Sequence, residues 1–152
     1  YKRAEFEPEN FAKVVQVNLN SLMTCAGQFY DLLKTAKGSL IIISSTAAFH
    51  ATVGNPGYNA SKAGAAGLTR TLGKAWAPDG IRVNGIAPGL IATKMTRVTT
   101  DNPKRREATI QSIPLGRIGD PDDMAGLSLF LASPLSNYIV GQTIIADGGL
   151  LL

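Results

Sequence analysis

The stretch Ser39-Leu40-Ile41-Ile42-Ile43-Ser44-Ser45 constrains this chain more than any other part of it. A continuous β-branched run without polar alternation suits a strand buried on both faces, as in a parallel sheet covered by helices. Parallel neighbours cannot be joined by a tight turn. They need a crossover of a dozen or more residues, usually a helix. The flanking sequence supplies such crossovers, so the run predicts an α/β chain.

Upstream, residues 8–33 carry Phe11, Val14, Val15, Leu19, Leu22, Met23, Ala26, Phe29, Tyr30 and Leu33 at three- and four-residue steps, which predicts one long helix. Pro8 suits its first turn, and Gly38 its end. Downstream, Gly54, Pro56 and Gly57 punctuate a loop before an alanine- and glycine-rich helix over 58–76. Gly64 and Gly67 inside it each cost about 1 kcal/mol relative to alanine. That cost implies close approach of a sheet or another helix. Residues 81–87 read as a second strand, ended by Pro88-Gly89. A helix over 120–133 with an acidic first turn and a strand over 141–146 follow, closed by Asp147-Gly148-Gly149. The alternation predicts parallel strands with right-handed crossovers. Between them, residues 93–119 are polar and weakly periodic, and a connection of that length predicts a lid or binding segment. The whole, residues 1–152, reads as one domain with no internal repeat.

The candidate chemistry lies at strand ends. In open α/β sheets ligands bind beyond the carboxyl edge, where Ser45 and Pro88-Gly89 fall. Tyr58 and Lys62 start the following helix four positions apart, on one face. A phenol of pKa about 10 exchanges protons poorly at neutral pH. An ammonium nearby favours the phenolate and makes the tyrosine a usable acid or base. The same spacing also fits a packed tyrosine with a solvated lysine. Ser45 equally fits a hydroxyl capping a turn.

Composition removes other classes. The formal charge of +4 is mild, and the densest basic cluster, Lys104-Arg105-Arg106, has no interleaved aromatics, which argues against nucleic-acid binding. One histidine and one cysteine leave no His/Cys metal set. Cys25, among apolar helix residues, is expected to be a small buried hydrophobe in a reducing, cytoplasmic setting. No apolar run reaches the roughly 20 residues of a membrane span.

Taken together, the chain resembles the short-chain dehydrogenase/reductase family over nearly its whole length. The resemblance rests on Tyr58-x-x-x-Lys62, with Ser45 13 residues before Tyr58 and Asn18 27 before Ser45. Val83-Asn84, Pro88-Gly89-x-Ile91-x-Thr93, Gly141-Gln142 and Asp147-Gly148-Gly149 complete it. Similarity is greatest to ketoacyl-carrier-protein reductases and hydroxysteroid-type dehydrogenases. The resemblance implies a Rossmann-type doubly wound parallel sheet and hydride transfer between NAD or NADP and a small carbonyl or secondary-alcohol substrate. It makes Tyr58 the general acid/base and Ser45 the partner of the substrate oxygen. Lys62 is implied to hold the nicotinamide ribose and Asn18 a water linked to Lys62. Pro88, Gly89, Ile91 and Thr93 are implied to meet the cofactor. Ala47, His50, Val53, Asn55, Leu90 and Met95 are expected to line the substrate pocket. The family's N-terminal Gly-rich strand-turn-helix has no counterpart here. The expectation is therefore the C-terminal portion of the fold, active beside a missing N-terminal half and assembled as a homo-oligomer, dimer or tetramer. A non-catalytic oligomerisation module is the competing reading. A non-redox relative of the halohydrin-lyase kind is another, although that kind carries Arg where this chain has Lys62.

Overall fold

The computed structural model describes residues 4–152. Helix α1 (Pro8–Val15) runs through a π-helical turn (Gln16–Asn20) into α2 (Ser21–Ala36). Strand β1 (Ser39–Ile43) follows, then α3 (Pro56–Trp76) and β2 (Arg82–Pro88). Helices α4 (Arg97–Thr100), α5 (Pro103–Ser112) and α6 (Pro121–Ala132) precede β3 (Thr143–Ala146). The strands form one parallel sheet in the order β1-β2-β3. Ser39 faces Arg82 and Ile43 faces Ile86, while Gly85 faces Thr143 and Pro88 faces Ala146. The α/β reading from the apolar run therefore holds.

The core lies between the sheet and helices α2 and α3. Ile42, Ile81, Val83, Ala65, Leu72 and Ala26 are buried there. Strand β2 is the covered centre, with residues 83–87 all buried. Strand β1 differs from the expectation of burial on both faces. It pairs only with β2 among the described residues, and its last residue, Ile43, is 48% exposed. Burial of an apolar strand depends on neighbours, and β1 has one.

Three further expectations change. The predicted single helix contains a π turn at Gln16–Asn20, which shifts the apolar stripe between α1 and α2. Ala26 reaches the core, as its place in the apolar pattern predicts, while its neighbour Cys25, expected to be buried, is exposed. Adjacent helix positions point about 100° apart, so only one of the two can face inward. Lys37, at a φ of 47°, takes the left-handed position at the end of α2, one residue before the expected Gly38. The segment 93–119 is largely helical, with Asn102 capping α5 through the Arg105 N–H.

Of the two costly interior glycines of α3, Gly64 accepts another helix as its cost implied, whereas Gly67 has only the tip of the Arg70 side chain near it, at 3.8 Å, so no close neighbour explains it. A Cβ on Gly64 would lie 2.6 Å from Leu19 in the π turn, and one on Gly57 3.2 Å from Val14 in α1. Gly73 meets backbone instead, 2.7 Å from the Gly141 Cα. That contact seats α3 on the turn that leads into β3.

Candidate active site

The carboxyl edge of the sheet gathers the candidate residues. Ser44 N–H extends the β1–β2 ladder by donating to Ile86 O (2.7 Å), which sets Ser45 beside the end of β2. Ser44 Oγ donates to Lys62 O at 2.8 Å and ties that edge to the second turn of α3. Ser45 is extended, and its Oγ accepts the Ala47 N–H at 3.2 Å. The turn-capping role considered from sequence is thus real, and the hydroxyl is half-buried at the strand end.

Tyr58 sits in the first turn of α3, and the Lys62 ammonium lies 5.7 Å from its ring centroid. One turn of helix thus brings the two together, as their spacing predicts. Lys62 Nζ donates to Ile43 O at 2.9 Å, one of the three bonds an ammonium can make. Burial pulls the Lys62 pKa below its ordinary value, because a half-covered cation loses hydration. Asn18 lies within the π turn, a feature frequent at functional sites. Its amide donates to the fully buried Ser61 Oγ (3.3 Å), which in turn donates to Tyr58 O (2.8 Å). Asn18 is thereby joined to the backbone of Tyr58 through Ser61.

Sequence reasoning passed over Asn59, between Tyr58 and Lys62. Its amide nitrogen donates to Ala47 O (2.5 Å) and His50 O (2.8 Å), clamping the loop after Ser45 onto α3. Only the position inside the Tyr-x-x-x-Lys run marked it.

The glycine of Pro88-Gly89 has an interior reason. A Cβ there would come within 2.7 Å of the Asp147 Cα, and Gly89 N–H donates to Ala146 O (3.0 Å). Ile91 forms a parallel bridge with Gly119, with Ala92 N–H to Gly119 O at 2.8 Å and Gly119 N–H to Leu90 O at 3.0 Å. Residues 92–118 thus leave and return at one clamped point. Thr93 is exposed and forms a capping box with Thr96, whose Oγ1 also donates to Ile91 O at 2.7 Å.

Of the expected pocket residues, Ala47 is buried, whereas Val53 and Met95 are 67% and 80% exposed. His50 and Asn55 are also on the surface. Leu90 lines a cavity of about 210 Å³ with Ile91, Leu115, Met124 and Asp147. That cavity does not include the other five, so the structure does not bring the six into one pocket. Their positions follow loops, whose course local pattern does not determine. Among the described residues no three His, Cys, Asp or Glu side chains are placed to hold a metal. No helix among them is long and apolar enough to cross a membrane.

This sheet and its edge define a family. Residues 2–151 match the model described as Enoyl-(Acyl carrier protein) reductase, and the chain belongs to the short-chain dehydrogenase/reductase family. It is 42% identical over 151 residues to a 2-dehydro-3-deoxy-D-gluconate 5-dehydrogenase of Bacillus subtilis, covering 97% of this chain and 59% of that protein. It is 43% identical over 143 residues to a 3-oxoacyl-acyl-carrier-protein reductase of Chlamydia pneumoniae, covering 93% and 57%. Among solved structures, a gluconate 5-dehydrogenase from Burkholderia cenocepacia in complex with NADP and tartrate superposes with a TM-score of 0.90. That pair is 31% identical, over 95% of this chain and 57% of the other. The chain thus spans less than three fifths of the length of these relatives.

Proposed function

We propose that these residues are the proton-transfer half of an NAD(P)-dependent oxidoreductase that interconverts a carbonyl and a secondary alcohol. The observation that carries this reading is the placement of Ser45, Tyr58 and Lys62 on one sheet edge, with the ammonium beside the phenol ring. Relatives named as dehydrogenases and reductases, one of them solved with NADP, support it.

The residues present fit a nicotinamide cofactor. Lys62 is half-buried with one ammonium donor committed to Ile43 O, which leaves donors for ribose hydroxyls. Pro88, Gly89, Ile91 and Thr93 follow the adjoining strand end, where a flat ring and its phosphates would be held. The bound cofactor supplies or accepts the hydride. Tyr58 gives its proton to the substrate oxygen in reduction and takes it back in oxidation. Ser45 Oγ–H donates to the same oxygen and stabilises charge developing there. Asn18, through Ser61, steadies the first turn of α3.

The segment 93–119, held at its base by the Ile91–Gly119 bridge, serves as the lid over the substrate. Binding the whole dinucleotide requires a Gly-rich strand-turn-helix that residues 1–152 do not include, and the open edge of β1 is where its sheet would join. Apolar side chains on the outer face of the first helices, including Val17 (69% exposed), Phe29 (54%) and Leu32 (67%), support assembly with further copies. The test is a hydride-transfer assay on nicotinamide absorbance with a panel of carbonyls, including 3-oxoacyl and sugar-acid substrates. Calorimetry with NADH and NADPH on residues 1–152 and on the natural protein accompanies it. Turnover by the natural protein and weak binding by residues 1–152 are expected. No absorbance change with any carbonyl, alongside tight cofactor binding, contradicts the redox reading.

A further inference from the structure

The first turn of α3 lacks a cap from its own neighbourhood. Asn55 precedes the helix without a side-chain hydrogen bond, and Pro56 at the first position brings no N–H. The Asn59 N–H is satisfied by Asn55 O at 2.9 Å. The Tyr58 N–H instead donates to Glu5 Oε2 at 2.9 Å, from a residue 53 positions upstream. Glu5 rides on a short 3-10 turn (Ala4–Phe6) that precedes α1, where Glu7 N–H donates back to Ala4 O. Gly57 admits the carboxylate, since a Cβ there would stand 3.3 Å from Oε2 and 3.2 Å from Val14 Cβ. A carboxylate on a helix-start N–H makes a charge-assisted bond and meets the positive end of the helix dipole.

We propose that Glu5 is a positioning residue for Tyr58. It fixes the tyrosine backbone from outside α3, so the reach of the phenol depends on the segment before α1 as well as on its own helix. This inference rests on the acid/base role given to Tyr58 above. The need for such a hold is physical. Tyr58 occupies the first turn, whose N–H groups have no partners within the helix. A misplacement of about 1 Å at a reacting group costs on the order of 100-fold in rate. Asn18 and Ser61 reach the Tyr58 carbonyl, and Glu5 reaches its N–H, so the backbone of one residue is held at both polar groups.

The test uses the natural protein with Glu5→Ala and Glu5→Gln. Steady-state kinetics are run well below each variant's unfolding midpoint, and Tyr58 amide exchange is followed by NMR. Glu5→Ala is expected to lower kcat about tenfold, with KM for the cofactor unchanged and faster exchange at Tyr58. Glu5→Gln keeps an acceptor oxygen, and most of the lost kcat is expected to return. Wild-type kcat in Glu5→Ala with only a lower unfolding midpoint overturns the proposal, because the bond is then merely stabilising. Equal loss in both variants overturns the acceptor argument. Unchanged Tyr58 exchange in Glu5→Ala overturns it irrespective of catalysis. Turnover retained by Tyr58→Phe defeats the proposed function instead, and the exchange result still decides whether Glu5 holds the residue.

Discussion

Replacing Asn84 with alanine removes both halves of a side-chain bridge between β2 and the turn before β3. Asn84 is fully buried at the centre of β2. Its Nδ2 donates to Ile139 O at 2.7 Å, and its Oδ1 accepts the Gln142 N–H at 3.1 Å. Those bonds shape the turn that feeds β3. Gly141 N–H to Val83 O and Gly85 N–H to Gln142 O, both 2.7 Å, continue the same seam. Alanine leaves the half-buried Ile139 carbonyl and the Gln142 N–H without these partners; such a group costs about 1–3 kcal/mol when buried and less where solvent reaches it, as at the exposed Gln142. The truncated side chain also leaves a void. Together the loss is about 2–6 kcal/mol, a large share of a typical stability of about 5–15 kcal/mol. The assay is urea denaturation of the natural protein, followed by circular dichroism, with the m-value held as a check on compactness. A loss under about 1 kcal/mol would mean that the turn finds substitute partners and that the Asn84 bridge does not hold it.

Gly73→Ala adds a methyl within 2.7 Å of the Gly141 Cα and 2.8 Å of its nitrogen. Overpacking of about 1–3 kcal/mol outweighs a helix-propensity gain of about 1 kcal/mol, because both contacts are backbone. The unfolding midpoint is expected to fall, and a rise contradicts the close seat of α3 on that turn. Lys62 gives a pH signature. Burial lowers its pKa in the folded state, so between that value and the unfolded value near 10.4 the unfolded chain binds more protons. Its contribution to stability therefore rises with pH across that window and is a constant penalty below it. Denaturation of the cofactor-free protein at stepped pH should show this rise in the wild type and lack it in Lys62→Met. Equal pH dependence in both contradicts the burial argument.

What was legible in the sequence follows from periodicity and strand-end chemistry. The apolar run of β1, the alternation of helix and strand, and the i, i+4 spacing of Tyr58 and Lys62 are local signals, and the structure places these elements accordingly. The π turn was not legible, because one extra residue per turn shifts the apolar stripe without leaving a distinctive residue. Cys25 was misjudged because its sequence neighbours are apolar, whereas only Ala26 of the adjacent pair faces inward. The close approach of Asp147 to Gly89, 58 residues away in the chain, is likewise something no local pattern reveals. The bond from Glu5 to Tyr58 is hidden in the same way. Loops around His50, Val53 and Met95 turned outward, since residue type alone does not set a loop's course. Asn59 carried a weak signal, lying within the Tyr-x-x-x-Lys run, and its two carbonyl partners became visible only in three dimensions.

In the proposed reaction Tyr58 moves the proton while its neighbours hold the cofactor and the substrate oxygen. Tyr58→Phe in the natural protein tests it most directly, with kcat from nicotinamide absorbance and cofactor affinity from calorimetry on the same preparation. A fall in kcat of about 10²–10⁴ is expected, with cofactor affinity nearly unchanged because Lys62 and the Pro88–Gly89 edge remain. Turnover close to that of the wild type would contradict it, and would assign the proton to another group.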